Sequence, residues 1–256
     1  MKIIFSFSLY GDNRKYSEPL FINMNVIKSN FSNFEIYIYY DSSVPSRVVN
    51  ELKKGGANVL EMNTKYNTAA EKMSWRYGPI LNNLSECCII RDSDSVISVR
   101  EVGLIKDWLN SSYNFHIIRD HPLHNMPIMG GLFAIKRPIF DKFQEQFKSK
   151  FNKYTTLEYN GDQLFLAHEI YPLVVADSLI QTSCFSFMFE KVQHINKDKN
   201  PANYIGSVYF GDQYYNLHLS NLYKSCIVQI GMPYYFYKIL NFRAINLFTK
   251  ILSTLK

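Results

Sequence analysis

Apolar positions recur in blocks along the first half of the chain, and the blocks alternate between two periods. Residues 2–9 (KIIFSFSL) predict a strand, ended by the turn chemistry of Tyr10-Gly11-Asp12-Asn13. Leu20, Phe21, Met24 and Ile27 then share one helical face, with Ser17 placed as N-cap and Pro19 in the first turn. Residues 34–40 predict a second strand, closed by Asp41-Ser42-Ser43. Pro45 opens a helix carrying Val48, Val49 and Leu52, and Gly55-Gly56 stops it. A short strand at 57–60 follows, then a helical stretch over 68–84 with Met73, Trp75 and Ile80. Lys72 and Arg76 stand one turn apart on it, so both can point the same way. Residues 87–90 (CCII) are uniformly apolar, as a strand buried on both faces requires. Strand and helix thus alternate several times, which predicts an α/β fold: a mostly parallel central sheet with helices on both faces.

The second half is less regular. A helix is predicted over 100–109, ending in Trp108-Leu109, and a strand over 115–118. Residues 127–135 predict another strand, broken by Gly130-Gly131. Glycine inside a strand marks either a β-bulge or a close approach of backbone to a ligand. An amphipathic helix over 138–151 turns Phe140, Phe143 and Phe147 inward. Gly161-Asp162-Gln163 opens a further helix over 164–170, which Pro172 stops, and residues 204–215 predict strand and turn.

Composition fits a folded domain. Hydrophobic residues make up 47% of the 256 positions and aromatics 16%, too many for a disordered chain. The formal charge of +6 favours anionic partners, either nucleotide or membrane surface. Cys87, Cys88, Cys184 and Cys226 show no metal-binding spacing, and the expectation is reduced thiols in a cytoplasmic protein. Residues 1–10 are better explained as a first strand than as a signal peptide, and no stretch is apolar and long enough to span a bilayer.

Candidate chemistry begins where residues 87–90 run into Arg91-Asp92-Ser93-Asp94-Ser95. Two carboxylates two residues apart, at the carboxyl end of a buried strand, suit a hard divalent cation, and ligands of open α/β sheets collect at that end. Mg²⁺ or Mn²⁺ holding a diphosphate is one reading; the other is a solvated turn capping the next helix, for which Ser98 and Glu101 are well placed. No Gly-x-Gly-x-x-Gly follows the first strand and no Walker lysine loop occurs, so a bound phosphate depends on a metal and basic side chains.

The tail differs again. No acidic residue follows Asp212, whereas Lys224, Lys238, Arg243, Lys250 and Lys256 do. From Lys238 onward Leu240, Ala244, Leu247, Phe248, Ile251, Leu252 and Leu255 share one helical face, behind Tyr234-Tyr235-Phe236-Tyr237. Residues 223–256 are read as a basic amphipathic tail. Its 232–256 portion suits peripheral attachment to the cytoplasmic face of a membrane, and docking on the domain or in a dimer is the alternative.

The ordered set Trp75-Arg76-Tyr77, Arg91-Asp92-Ser93-Asp94-Ser95, Arg100-Glu101, Trp108, residues 115–124 (FHIIRDHPLH), residues 128–133 (IMGGLF) and Gly161-Asp162-Gln163 resembles the GT-A-type, Asp-x-Asp-containing glycosyltransferases of bacterial and large-virus polysaccharide clusters. The likeness spans roughly residues 2–176. Two positions depart from it: Ala176-Asp177 stands where a His-Asp pair is often found, and Phe133 stands for a tryptophan. The resemblance implies a GT-A-like (Rossmann-like) domain over 1–222. It implies transfer of a sugar from a nucleotide-diphosphate sugar, in the first instance a UDP-sugar, to a glycan or lipid-linked glycan, with Mn²⁺ or Mg²⁺ bridging the diphosphate. Asp94 then ligates the metal directly, Asp92 contacts either the ribose or the metal through water, and His218 is a further metal ligand. Tyr10, Asp12 and Ser93 face the nucleotide, and Lys72, Arg76 and Arg91 neutralise phosphates or brace the carboxylates. A solvated helix face and a salt bridge are the plainer roles for those three cations. Asp162 is the first candidate base and Asp120 the second, although Asp162 also suits a helix N-cap. His121, His124, Gly130, Gly131 and Gln163 are assigned to the sugar or acceptor, with the metal shell or a structural place as the alternatives for the two histidines.

Two other classes compete. A sugar-nucleotide pyrophosphorylase needs a glycine-rich, lysine-containing loop after the first strand, where Gly11 is the only glycine. A non-catalytic basic module for membrane or nucleic acid needs clustered cations, but outside the tail they are dispersed and no nucleic-acid signature occurs.

Overall fold

The seven residues of β1, Ile3–Leu9, are all buried, and they form the centre of the molecule. In the computed structural model, which describes residues 1–157, 160–188, 190–209 and 221–224 and the backbone of 229–231, β1 pairs in parallel with β2 (Phe34–Tyr40) on one side. On the other side it pairs in parallel with β4 (Cys87–Arg91), while β3 (Asn58–Glu61) lies beyond β2. With β5 (Phe115–Arg119), β6 (Leu132–Lys136), β7 (Ser178–Thr182) and β9 (Val192–His194), these strands form one sheet in the order β3-β2-β1-β4-β6-β5-β7-β9. Only β6 runs antiparallel to its neighbours. A separate pair joins β8 (Phe185–Phe187) to β10 (Gln229–Gly231).

Side chains alternate across the sheet and build two cores. Cys87 and Ile89 face one core with Phe5 and Phe7, which the helices Arg14–Asn30, Ser46–Lys54 and Val99–Leu109 cover. Cys88 and Ile90 face the other with Phe115, Phe133 and Phe165, covered by Gly78–Leu81, Phe140–Lys150 and Gly161–Phe165. The chain passes from β1 to β2 and β3 on one side, then crosses to β4 on the other. The carboxyl ends of β1 and β4 therefore flank the point where strand order reverses, the crevice in which open α/β sheets bind ligands.

Several elements differ from the sequence expectation. The first helix is capped by Asn13, whose side chain accepts from the Lys15 N–H at 3.1 Å, and Ser17 lies buried inside it. The predicted helix over 68–84 is broken into Ala69–Ser74, a 3₁₀ turn Trp75–Tyr77, and Gly78–Leu81. Ser8 of β1 imposes the break: its hydroxyl donates to the Met73 carbonyl (3.3 Å) and accepts the Arg76 N–H (3.1 Å). The strand predicted over 127–135 begins only at Leu132, so Gly130 and Gly131 stand in the loop before β6 rather than in a strand or bulge. Pro172 does not end the helical run but starts its next short helix, Tyr171–Val174, where a missing N–H costs nothing. Cys87 and Cys88 are buried free thiols as expected, whereas Cys184 is disulfide-bonded, which corrects the expectation of reduced thiols there.

Among the described residues no helix is long and apolar enough to cross a membrane. Tyr223, the first residue of the expected tail after its boundary at 222, is fully buried against the body, where its hydroxyl meets Asp120 at 3.2 Å. The amphipathic helix expected from Lys238 onward and His218 lie outside the described residues.

Candidate active site

Beyond the carboxyl ends of β1 and β4 a cleft opens in two adjoining lobes of about 330 and 290 Å³. Tyr10, Tyr16, Met73, Arg76, Asp92 and Gln163 line both. Ser8, Ser93 and Asp94 line the first alone, and Asp162, Gly130 and Asn160 the second. Each element delivers its part for a local reason. The parallel register Ile3↔Cys87 to Ser6↔Ile90 brings the ends of β1 and β4 to one edge, so Tyr10 meets the Asp-Ser-Asp loop. The 3₁₀ break aims Arg76 inward. Asp162 arrives on a helix whose first residue must be small, because a Cβ at Gly161 would stand 2.7 Å from Ala70 Cβ and run into the Tyr154 carbonyl.

The electrostatics centre on three carboxylates and one guanidinium. Arg76 is buried; its Nη1 pairs with Asp92, and its Nη2 donates to Asp162 Oδ2 at 2.9 Å. Burial opposes that charge, but Asp92 and Asp162 hold it firmly protonated. Burial likewise pushes Asp162 above the usual carboxylate range, offset in part by Arg76. Asp94 is pushed up to about 6, first by burial and then by the neighbouring Asp92, against a weaker pull from Lys15 and Arg91. Burial raises Tyr10 to about 12, so its phenol is a neutral donor.

The residues fit a divalent cation. Asp92 keeps a carboxylate side chain 37% exposed towards the cleft, and the mutual repulsion of Asp92 and Asp94 in a desolvated setting is the condition such an ion relieves. Among the described residues no group of three or more His, Cys, Asp or Glu side chains stands ready as a complete ligand shell. Two carboxylates with the remaining positions left to water and substrate phosphates is a usual arrangement for Mg²⁺.

The structure thus brings together Asp92, Asp94, Ser93, Asp162, Gln163, Tyr10, Arg76 and Gly130, and among the described residues sets the other predicted ones elsewhere. Gly131 lies at its edge, where a Cβ would collide with the Asp92 carboxylate. Arg91 turns away from the cleft, paired with Glu101 at 3.1 Å and donating to the Gly131 carbonyl (2.7 Å) and to Ser95 (2.9 Å), the salt-bridge role. Lys72 pairs with Asp41 at 3.0 Å and lies 5.4 Å from the Tyr10 ring centroid, so it touches the site only through that ring. Asp12 is exposed on the turn after β1 and does not line the cleft. Asp120 is fully buried away from it, taking Arg100, Ser183 Oγ (2.6 Å) and the Ile205 N–H (2.7 Å). His121 and His124 pack in an aromatic cluster with Tyr204, His121 tilted against its ring and His124 edge-on to it. His124 Nδ1 accepts the Asp120 N–H (3.1 Å), and burial pushes its pKa down to about 3.

Sequence reasoning missed Tyr16, Met73, Met129 and Asn160 as lining residues. Only Asn160 carried a signal, an asparagine before glycine; it takes φ 56°, which turns the chain into the Asp162 helix.

No family model matches the chain, and no curated protein matches it in sequence. Its structure is similar to several solved ones. The mannosyltransferase PcManGT from Pyrobaculum calidifontis, in complex with GDP-Man and Mn²⁺, aligns at 16% identity and a TM-score of 0.43 over 56% of this chain and 46% of that one. S. aureus TarS 1–349 with UDP-GlcNAc aligns at 14% identity and a TM-score of 0.49 over 82% of this chain and 62% of that one. A glycosyltransferase involved in the glycosylation of the PBCV-1 major capsid aligns at 10% identity and a TM-score of 0.44 over 73% of this chain and 85% of that one. The chain thus spans less than two thirds of the first two, and at such identities the likeness concerns the fold alone.

Proposed function

We propose that this chain is a metal-dependent glycosyltransferase that moves a sugar from a nucleotide-diphosphate sugar, a UDP-sugar in the first instance, to a glycan or lipid-linked glycan. One observation carries the reading: two carboxylates at the carboxyl end of β4, Asp92 and Asp94, share a cleft with a third, buried carboxylate, Asp162, at the strand-order reversal of a mostly parallel sheet. That is where a phosphorylated ligand would sit, and the cleft brings to it the groups a transfer needs. Asp92 and Asp94 would hold Mn²⁺ or Mg²⁺, which supplies Lewis-acid stabilisation of the departing diphosphate.

The chain's own residues account for the rest. Tyr10 and Tyr16 offer aromatic faces at the mouth of both lobes, suited to a base or a sugar face. Asp162 stands as base: burial raises it above the ordinary carboxylate range, which makes it a stronger proton acceptor than an exposed aspartate. Gln163 and Asn160, whose side chains lie 3.3 Å apart, suit sugar hydroxyls in the second lobe. We place the acceptor at a membrane face through the basic tail at 232–256.

Thermal unfolding with UDP, GDP, CDP or dTDP, each with and without Mn²⁺, tests the reading, since a ligand that binds only the native state raises the midpoint. The expected result is a rise with one nucleotide only when Mn²⁺ is present, abolished in Asp94→Ala. No shift with any nucleotide and metal would remove the basis of the proposal.

A further inference from the structure

The bridge between Asp92 and Asp162 has a feature that donor binding does not explain. Arg76 is 1% exposed, and both of its terminal nitrogens are committed, one to each carboxylate. Its backbone is pinned as well, by the N–H donated to Ser8 Oγ at 3.1 Å. A phosphate clamp presents an open guanidinium fork to its ligand; this fork is closed within the protein.

The loop before β6 packs directly on the bridge. A Cβ at Gly130 would stand 2.7 Å from Arg76 Nη2 and 2.9 Å from Asp162 Oδ2, and one at Gly131 would strike the Asp92 carboxylate. Neither glycine has the left-handed φ that would call for glycine on conformational grounds. The double glycine is therefore explained by space: it lets backbone close over a carboxylate–guanidinium–carboxylate row. Four separate parts of the chain meet in that row, namely the 3₁₀ turn Trp75–Tyr77, the end of β4, the loop before β6 and the helix Gly161–Phe165.

We propose that Arg76 is a positioning residue: it ties Asp92 to Asp162 and so sets where the third carboxylate stands relative to the Asp-Ser-Asp loop, and it is not a ligand of the donor phosphates. Its consequence for turnover rests on the glycosyltransferase reading; the bridge itself does not.

Two measurements test it. The first is thermal unfolding without ligand for Arg76→Met, Asp162→Asn and the double variant. Removing the guanidinium leaves two uncompensated carboxylates, so Asp162→Asn raises the midpoint in the Arg76→Met background and does not raise it in the wild type. The same shift in both backgrounds overturns the bridge, whatever reaction the protein catalyses. Coupling together with no sugar transfer by the wild type leaves the bridge standing and overturns the transferase reading alone.

The second uses Arg76→Lys, which keeps the charge but reaches only one carboxylate. Positioning predicts that kcat falls by about 100-fold, the cost of a misplacement of about 1 Å, while affinity for UDP with Mn²⁺ stays within about threefold. A nucleotide affinity lowered more than about tenfold with kcat nearly intact makes Arg76 a phosphate ligand and overturns the proposal. A lowered midpoint with kcat unchanged in the folded enzyme assigns it to stability alone and overturns it too.

Discussion

Charged residues next to each other in sequence have opposite fates here. Arg91 precedes Asp92 yet turns to the buried Glu101, while Asp92 takes the distant Arg76. The pleat explains it: Arg91 ends β4 on the face of Cys87 and Ile89, and Asp92, the first residue beyond the strand, continues the alternation to the opposite side. Gly131 shows how tightly the site is drawn. A Cβ there meets Asp92, whose carboxylate is the movable end of a partly exposed side chain, so the carboxylate gives way rather than the backbone. Gly131→Ala is expected to cost at most about 1–3 kcal/mol of stability, the usual range for overpacking, in urea unfolding. The same variant should lose the Mn²⁺-dependent part of the nucleotide-induced thermal shift. A full Mn²⁺ response in that variant would show that Asp92 need not stand where it does.

Helix Val99–Leu109 follows the Asp-Ser-Asp loop and anchors it from behind. Val102, Ile105 and Trp108 seat it in the core, and Ser98 Oγ caps it by accepting the Glu101 N–H at 3.1 Å. The reciprocal half of the expected capping box is absent, because the Glu101 side chain is spent on buried Arg91. Ser98 therefore carries the cap without help from Glu101. Ser98→Ala should destabilise the fold by about 1 kcal/mol and Ser98→Asp should restore it, read from urea midpoints at constant slope. Equal losses in both variants would mean that the hydroxyl matters for something other than the helix end.

For the molecule as a whole, buried titratable groups set an acid limit. Burial pushes His116 down to about 4; its Nε2 lies 2.8 Å from Gln181 Oε1, it stacks on Trp108, and Lys136 also disfavours its charge. The unfolded chain thus binds a proton near the ordinary histidine value of 6.5 that the folded chain refuses until about pH 4, and stability falls as pH drops across that window. Burial alone would raise Glu169, but hydrogen bonds from Lys150, Lys153 and Tyr154 hold it at about 2. Its contribution is complete above the ordinary value of 4.5 and is lost as pH falls towards 2. Urea midpoints should be level above about pH 6.5 and decline below it. His116→Gln should lessen the upper part of the decline, in which His124, pushed down to about 3, also shares, and Glu169→Gln the lower part. A decline unchanged in both variants would place the acid sensitivity in other groups.

Local pattern carried the strands of the first half, because a run such as residues 87–90 has no polar edge to offer water and must be buried on both faces; β7, β8 and β9, short and partly polar, escaped it. It also carried the Asp-Ser-Asp loop, since carboxylates at a strand's end stand out against an apolar run. It did not carry the break at Trp75–Tyr77, where the Arg76 N–H is held by a hydroxyl 68 residues away in β1. Nor could it pair Arg76 with Asp162 across 86 residues, or bring Tyr209 to donate to the Asp94 carbonyl at 2.7 Å. Periodicity reports which face of an element is apolar; which charged partner a buried group finds depends on how sheet order folds distant segments against one another. The strands of the first half and the acidic loop were therefore legible in the order of residues, while the closed guanidinium bridge and the space that demands Gly130 and Gly131 exist only once four separate parts of the chain have met.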